Sequence, residues 1–237
     1  MYHLMKNRTL FESRIAGSPT EVSLMGLDKY RTFQEFHNYD IPFVKSCLPS
    51  EYKDQFENCI VKPREGRGSR NVHIKANPYQ FDDTYIVQEL LSGEELTIAF
   101  YVRKEGELHG FIVFRRILFN GYTNLAEVVF DYNRQVEDLI NKMIYHFPFR
   151  GSINVQAKVH QGEIIPFELN CRVSGTNSIR SRFGFQDVKY MIQEYLLDEE
   201  PLPVHVTKGS ALRVINDLIY PETNLNEINH ESEHYIF

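Results

Sequence analysis

Two consecutive segments at residues 151–170 alternate between apolar and polar side chains, and this alternation constrains the fold more than any other feature. In 151–160, one face carries Ile153, Val155, Ala157 and Val159, and the other carries Asn154, Gln156 and Lys158. Such alternation is typical of strands with one buried face. In 163–170 we expect Ile165, Phe167 and Leu169 to face the core. Both apolar sets can share one core only if the connecting loop has an odd number of residues, which favours the loop His160-Gln161-Gly162.

The polar face of this predicted hairpin collects side chains that carry oxygen atoms. With a three-residue loop, Glu168 lies opposite Asn154 and diagonal to Gln156, and Asn170 shares the face. Magnesium prefers such oxygen ligands, with phosphate and water completing its coordination. The pattern therefore indicates a metal site, while a plain polar outer face of an antiparallel sheet remains the alternative.

The rest of the chain mixes strands and helices without regular strand–helix–strand alternation, which favours an α+β fold with mainly antiparallel sheets. The clearest helix spans 131–147, where apolar residues follow a three-four spacing up to Pro148. Asp28 is expected to cap a helix that runs to about Asn38. Further helices are predicted at 51–58 and 187–196, and further strands at 59–63, 72–74, 84–87, 96–102, 107–118 and 212–219.

A glycine-rich, basic loop lies between two of these predicted strands. Gly66 and Gly68 allow a ligand to approach backbone N–H groups closely, and Ser69 adds a hydroxyl donor. Positive charge comes from Lys62, Arg64, Arg67 and Arg70. The loop suits a polyphosphate, although neither the P-loop pattern nor the dinucleotide-binding pattern is present. A solvated hairpin loop is the alternative interpretation.

Composition narrows the class of protein. The chain has 237 residues, 42% of them hydrophobic and 24% charged, and a net charge of −6. This balance is typical of a globular protein, and we expect no nucleic-acid partner and no membrane association. Three cysteines without a CxxC pair, and no apolar leader, favour a reducing, cytoplasmic location.

Taken together, five segments resemble the ATP-grasp superfamily, in the branch of the carbamoyl-phosphate synthase large subunit and related carboxylate–amine ligases. In the order of that family they are Asp28-Lys29, Ile60-Val61-Lys62-Pro63 with Gly66-Arg67-Gly68-Ser69, Val87-Gln88-Glu89-Leu90-Leu91-Ser92-Gly93-Glu94-Glu95, Asn154-Val155-Gln156, and Glu168-Leu169-Asn170-Cys171-Arg172-Val173-Ser174-Gly175. The resemblance covers about Asp28 to Leu197.

The resemblance implies two α+β subdomains that grip ATP between them. We expect an N-terminal remnant at 1–27, a small lid subdomain with the phosphate-binding flap at 28–90, and a large subdomain with the metal site at 91–237. The N-terminal domain that usually precedes the fold is expected to be missing or reduced to the remnant. A partner chain that supplies this domain is therefore one expectation, and a homo-oligomer is left open.

The resemblance also implies a role for each matched residue. Lys29 and Lys62 would contact the α- and β-phosphates beneath a flap at 66–70, and Arg172 would contact the γ-phosphate. The remaining nucleotide contacts would come from Arg64, Gly66, Gly68, Ser69, Gln88, Glu89, Leu91 and Glu95, with Gln88 near the adenine amino group and Glu95 on the ribose. Mg²⁺ or Mn²⁺ would be held by Gln156, Glu168 and Asn170.

The implied activity is an ATP-dependent ligase that joins a carboxylate to an amine through an acylphosphate. Lys62 and Arg172 would be the catalytic residues, acting by charge neutralisation. Arg115, Ser174 and Arg180 are candidates for substrate contact. Arg115 and Arg116 are adjacent in a predicted strand, so only one of the two can face a cleft. The alternative is a non-catalytic ATP-binding subunit or fragment of a larger complex, and a kinase acting on bicarbonate or carbamate is a weaker third interpretation.

Two matched positions depart from the pattern of the family. Cys171 stands where this branch usually has proline, and we interpret it as a small structural residue. Ala99 stands where many relatives carry an acidic residue.

Overall fold

A computed structural model describes residues 1–66, 70–119, 122–214, 218–221, 224, 226 and 235–236. Its α-helices are α1 Tyr2–Lys6, α2 Thr20–Met25, α3 Lys29–Asn38, α4 Asn133–His146, α5 Asn177–Arg182 and α6 Asp187–Ile192, and α6 continues into a π-turn at Gln193–Leu197. Its strands are β1 Ser46–Cys47, β2 Cys59–Pro63, β3 His73–Ile74, β4 Tyr85–Glu89, β5 Glu95–Val102, β6 Leu108–Phe119, β7 Tyr122–Val128, β8 Gly151–His160, β9 Glu163–Asn170, β10 Ser210–Leu212, β11 Leu218–Ile219 and β12 Tyr235–Ile236. Short 3₁₀ turns lie at Arg8–Leu10, Pro49–Glu51 and Pro78–Gln80.

The larger sheet has six antiparallel strands in the order β10-β7-β6-β5-β8-β9. One face packs against α4, whose apolar side buries Val136, Leu139, Ile140 and Met143 against Leu96, Ile98 and Phe100 of β5. The three-four spacing of the helix meets the two-residue period of the strand, so each element buries one face. The helix predicted at 131–147 is therefore confirmed, with bounds at Asn133 and His146.

The opposite face of the larger sheet is covered over only part of its area. A second apolar cluster there joins Ala99, Tyr101 and Phe114 to Phe185 and Tyr190 from the region of α6. Ala99, where many relatives carry an acidic residue, lies in this cluster and is fully buried. The side chains of Gln156 and Glu168 lie beyond the cluster on the same face.

The smaller sheet has four antiparallel strands in the order β1-β4-β2-β3. The predicted hairpin around the basic loop is confirmed, because Ile60 pairs with Ile74 and Val61 with His73. The predicted strand 59–63 is confirmed with the bounds Cys59–Pro63. Asp28 caps α3, as predicted, by accepting hydrogen bonds from the N–H groups of Tyr30 and Arg31. The expected α+β architecture of mainly antiparallel sheets is thus confirmed.

The register of β8 and β9 corrects the predicted loop. The turn has two residues, Gln161 and Gly162, both with positive φ (52° and 85°). The extra residue that the alternation requires is supplied by a bulge at Phe167, where the register shifts between Gln156 and Ala157. As a result, Ile164 and Pro166 face the core in place of Ile165 and Phe167.

Two other predicted elements are wrong. Residues 51–58 form no helix, since a 3₁₀ turn ends at Glu51 and Asp54 has the left-handed φ of 55°. The predicted strand 212–219 is divided between β10, which pairs with β7, and β11, which pairs with β12 in a separate two-stranded sheet. Strand β7 was not predicted. Among the described residues, no helix is long and apolar enough to cross a lipid bilayer.

Candidate functional site

Two buried lysines lie where the two sheets meet. Lys62 on β2 donates a hydrogen bond from Nζ to the carbonyl of Phe167 on β9 (3.3 Å), and its Nζ lies 5.2 Å from the Phe167 ring centroid. Lys29, the first residue of α3, donates to the carbonyls of Pro63 and Arg64 (3.3 Å each). Only 6% of Lys62 and 8% of Lys29 are exposed. Since the bulge turns the Phe167 carbonyl toward β2, the irregularity in β9 helps to join the sheets.

A single carboxylate, Glu168, faces both lysines. Burial lowers the pKa of Lys62 to about 8, although the negative charge of Glu168 opposes this shift. Burial also lowers the pKa of Lys29, again against the attraction of Glu168. For Glu168, burial raises the pKa, but the charges of Lys62 and Lys29 together with a hydrogen bond from Asn170 bring the net pKa below its usual value. Glu95 also acts on Lys62, and Asp28 and Glu65 act on Lys29. Because Glu95 is paired with Arg116 and Lys158, and Asp28 with Arg64, the positive groups here outnumber the carboxylates.

The oxygen-bearing side chains are closer together than the predicted register implied. Gln156 pairs directly with Glu168, and Asn154 pairs with Asn170. Asn170 donates from Nδ2 to Glu168 Oε1 (2.9 Å), so Gln156, Glu168 and Asn170 form one group of side chains on this face. Among the described residues, no three His, Cys, Asp or Glu side chains are grouped closely enough to hold a metal ion. A metal ion here would rely on the single carboxylate of Glu168, on amide oxygens and on oxygens of the molecule that binds with it.

One buried hydroxyl beside this group has no partner. Thr97 is 1% exposed, and its Oγ1 accepts or donates no hydrogen bond within the described part of the chain. Thr97 pairs with Gln156 across β5 and β8, so both side chains project from the same face of the sheet. An unpaired buried polar atom is costly, and a bound ligand or water would relieve that cost.

Two cavities open on either side of this group. The first, of about 250 Å³, lies under the smaller sheet and is lined by Val44, Ile60, Lys62, Ile74, Gln88, Glu89, Leu90, Leu91, Glu95, Lys158 and Phe167. The second, of about 360 Å³, is lined by Met1, Tyr2, Ser23, Gly26, Leu27, Lys29, Gly66, Glu168, Leu169, Asn170, Cys171 and Arg172. The first is lined by more apolar than polar surface, and the cationic side chains that line the second outnumber its carboxylates.

Polar groups in the first cavity are already oriented by neighbours. Gln88 is 1% exposed and donates from Nε2 to Ser46 Oγ (3.0 Å). Glu95 accepts hydrogen bonds from Nε and Nη2 of Arg116 (2.9 and 2.7 Å), and Lys158 Nζ lies 3.4 Å from its other oxygen. Glu95 is therefore held in place by two cations.

Comparison with known proteins identifies the family of this chain. The family model described as "ATP-grasp in the biosynthetic pathway with Ter operon" matches residues 81–218, more than half of the chain. The chain belongs to this ATP-grasp family. The resemblance inferred from the sequence is thereby confirmed. No curated protein matches the chain by sequence.

Solved structures similar to this ATP-grasp chain share its fold at low identity. An ATP-grasp superfamily protein from Archaeoglobus fulgidus is 18% identical, with a TM-score of 0.64 over 99% of this chain and 71% of that one. N5-carboxyaminoimidazole synthetase from Staphylococcus aureus, complexed with ADP, is 13% identical (TM-score 0.71, 88% of this chain and 60% of that one). The biotin carboxylase domain of 2-oxoglutarate carboxylase from Hydrogenobacter thermophilus, a dimer in complex with MgADP, ADP and bicarbonate, is 14% identical (TM-score 0.69, 87% and 55%). The chain thus spans about three fifths of the length of the latter two.

The basic loop of the ATP-grasp chain is only partly described. Gly66 lines the second cavity, whereas Arg67, Gly68 and Ser69 lie outside the described residues. The guanidinium of Arg64 is bound to Asp28, with Nε at 3.1 Å from Oδ1, and it also donates to the carbonyl of Asp83 (3.2 Å). Burial raises the pKa of Asp28, but its bonds to Arg64 outweigh this and lower it. Arg64 therefore anchors the start of the loop to the cap of α3.

Arg180, predicted to contact substrate, is placed elsewhere. It is fully buried, and its N–H groups are directed at Asp187 (Nε to Oδ1, 3.0 Å), Ser152, Ser174 and Thr176. A guanidinium has five N–H donors, and these five contacts occupy them. No donor is left for a substrate carboxylate, so the structure corrects this assignment, and Ser174 is a partner of Arg180.

Arg115 is also corrected. It bonds to Glu94 and Glu127 on the other face of β6, whereas its neighbour Arg116 reaches Glu95 and Gln156. Adjacent strand residues face opposite sides, and the apolar residues of β6 fall on both faces, so periodicity could not choose between the two arginines. The sequence analysis left this choice open, and it did not include Lys158, which lies 3.4 Å from Glu95, among its candidates.

Cys171 and Arg172 directly follow the end of β9. Arg172 is exposed, lines the second cavity and donates from Nη2 to Asn170 Oδ1 (2.9 Å). Cys171 is 4% exposed, its Sγ donates to the carbonyl of Val22 (3.3 Å), and burial raises its pKa to about 12. A thiol in this state is inert at neutral pH, as expected for a structural residue.

Proposed function

We propose that this chain is an ATP-dependent ligase that joins a carboxylate to an amine or similar nucleophile, releasing ADP and phosphate. The observation that carries the proposal is the pair of buried ammonium groups of Lys29 and Lys62, which share the carboxylate Glu168. A polyphosphate would balance this excess positive charge where water cannot.

The first cavity suits the nucleoside part of ATP. Its apolar walls would take the adenine ring, with Gln88 and the backbone of Glu89 to Leu91 at the ring edge and Glu95 on the ribose hydroxyls. This cavity has a volume of about 250 Å³ and lies beside Lys62. A nucleoside bound in it would direct its phosphates past Lys62 toward the second cavity. Arg64, Gly66, Gly68 and Ser69 would form or anchor the flap above them.

The donor set fits a divalent cation bound together with phosphate. Gln156, Glu168 and Asn170 offer two amide oxygens and a carboxylate on one face, and the unpaired Thr97 hydroxyl is adjacent. Mg²⁺, or Mn²⁺, binds few protein oxygens of this kind and completes its shell with phosphate and water. Bound there, the ion would neutralise charge that develops on the transferred phosphoryl group.

The protein's own part in the reaction is positioning and charge neutralisation. Arg172 would stabilise the γ-phosphoryl group while the substrate carboxylate attacks it, and Lys62 would neutralise charge on the phosphates of the departing ADP. The P–O bond to ADP breaks as the acylphosphate forms, and the amine then displaces phosphate at the acyl carbon. We assign no nucleophilic side chain, because Cys171, which lines the second cavity, is a buried thiol with a raised pKa.

The division into a remnant at 1–27, a lid subdomain at 28–90 and a large subdomain at 91–237 remains part of the proposal, as does a cytoplasmic location. A homo-oligomer is also part of the proposal.

The second candidate function is an ATP-binding subunit that needs a partner chain to complete its substrate site.

Phosphate release from Mg-ATP by the purified chain tests the proposal, with a panel of carboxylates each paired with amines. Glu168→Gln should reduce substrate-dependent release at least about 100-fold, the size expected when a charge on the reacting group is left uncompensated. Glu163→Gln, on the exposed end of the same strand, is the matched control and should retain full release. Equal release by the Glu168→Gln variant would refute the assignment, and ADP binding without release from any pair would favour the second candidate.

A further inference from the structure

Arg116 connects two parts of the site that the proposed function assigns to different groups of the nucleotide. Its Nε and Nη2 donate to Glu95, the proposed ribose ligand, and Nη2 also donates to Gln156 Oε1 (2.8 Å), a proposed metal ligand. Its side chain is 9% exposed, so these interactions are poorly screened by water. One guanidinium thus holds both side chains.

Each oxygen-bearing side chain proposed for the metal has a donor bound to it. Gln156 Oε1 accepts from Arg116, Asn170 Oδ1 accepts from Arg172, and Glu168 Oε1 accepts from Asn170 Nδ2. The positive charges of Lys62, Lys29 and Arg116 also act on Glu168. A free divalent cation would have to displace these donors while surrounded by positive charge.

We infer that Arg116 is a positioning residue that excludes a free metal ion from the site, so that the ion enters only together with the phosphates. This rests on the proposed function. Phosphates would neutralise Lys29, Lys62 and Arg172, and Gln156 could then turn its oxygen from Arg116 to the ion. Arg116 would stay bound to Glu95, which keeps the guanidinium in place for the next cycle.

The chain supplies a matched control in the preceding residue. Arg115 has the same charge and sits on the same strand, but it faces the opposite side and pairs with Glu94 and Glu127. Replacing either arginine removes one positive charge from β6. Only the replacement of Arg116 removes it from the face that carries Gln156 and Glu168.

The experiment measures Mn²⁺ binding without nucleotide, from the electron paramagnetic resonance signal of the free ion, for the wild type, Arg116→Met and Arg115→Met. A second series measures ADP binding by calorimetry with and without Mn²⁺. We expect weak Mn²⁺ binding by the wild type, and binding about tenfold tighter by Arg116→Met because a repelling charge and a competing donor are gone. The factor by which Mn²⁺ tightens ADP binding should fall correspondingly in Arg116→Met and stay unchanged in Arg115→Met.

The inference is overturned if Arg116→Met binds nucleotide-free Mn²⁺ no more tightly than the wild type, or if Arg115→Met gains as much. Circular dichroism and thermal unfolding check that each variant is folded. Should Arg116→Met fail to fold, Arg116→Gln retains an amide donor without the charge and is judged by the same criterion. If the wild type binds ADP together with Mn²⁺ but the Arg116 variant binds Mn²⁺ just as the wild type does, only the inference is overturned. If the wild type binds neither ADP nor Mn²⁺, the proposed function is overturned as well.

Discussion

At the scale of single residues, Lys62 holds a charge where water reaches only 6% of its surface. Its neighbours within the described chain include a carbonyl, an aromatic ring, the carboxylate of Glu95 and that of Glu168, which it shares with Lys29. Such a group lowers the stability of the folded protein whenever it is protonated without an anion beside it. The cost is consistent with a site that is built for an anion.

The pH dependence of stability should show this cost. Burial lowers the pKa of Lys62 from 10.5 to about 8, so between these values the unfolded chain holds a proton that the folded chain has lost. The unfolding free energy contributed by this group therefore rises with pH across the window, by on the order of 2–3 kcal/mol. Urea unfolding at pH 7.5 and pH 10 should show the rise in the wild type and a smaller rise in Lys62→Met. Identical rises in the two proteins would contradict the assignment.

Asp187 and Arg180 should be important for stability. Both are fully buried and bonded to each other, so Asp187→Asn leaves an uncompensated guanidinium in the interior. We expect a loss of about 3–5 kcal/mol in urea unfolding. Asp198→Asn, in the exposed ion pairs with Arg14 and Lys104, is the control and should leave the free energy of unfolding nearly unchanged. A stable Asp187→Asn variant with only a raised KM would restore the substrate role that was predicted for Arg180.

At the scale of elements, the hairpin of β8 and β9 shows how local irregularity positions the site. Its tight turn and its bulge together set Glu168 opposite Gln156, where the predicted three-residue loop set it opposite Asn154. The bulge also frees the Phe167 carbonyl for Lys62. One inserted residue therefore both assembles the oxygen-bearing side chains and links the two sheets.

Two glycines in this region should respond differently to alanine. Gly162 in the turn has φ of 85°, and a Cβ added there would meet only open space, so Gly162→Ala should cost only the conformational strain of about 1–2 kcal/mol. Gly93, between β4 and β5, has φ of 112°, and an added Cβ would overlap the carbonyl oxygen of Val159. Gly93→Ala should cost about 3–5 kcal/mol, the strain plus the overlap. Thermal or urea unfolding of the two variants measures the difference, and equal losses would contradict it.

At the scale of the whole molecule, the proposed nucleotide site takes residues from both sheets. Lys62 and Gln88 belong to the smaller sheet, and Glu95, Gln156 and Glu168 belong to the larger one. A ligand that contacts both sheets binds the folded chain and not the unfolded chain, so it should raise the free energy of unfolding.

MgADP should therefore raise Tm. At a concentration of about 100 times Kd, ligand binding contributes about 2.7 kcal/mol, which for a chain of this size corresponds to about 5–10 °C. Differential scanning fluorimetry of the wild type and Lys62→Met measures the shift, and the variant should lose most of it. A shift produced equally by Mg²⁺ alone, or retained in full by Lys62→Met, would contradict binding at this site.

The sequence by itself determined the α+β class, the bounds of β2, β8 and β9, the cap of α3 and the family, because capping, alternation and ordered motifs are local signals. It also indicated Lys29, Lys62, Glu168 and Asn170, which the structure brings together. Only the tertiary structure decided that Arg116 and not Arg115 reaches Gln156, and that Arg180 is saturated by Asp187 and hydroxyl groups. The physical reason is that the direction of a side chain in a strand buried on both faces, and the partner of a buried charge, depend on residues far away in the sequence.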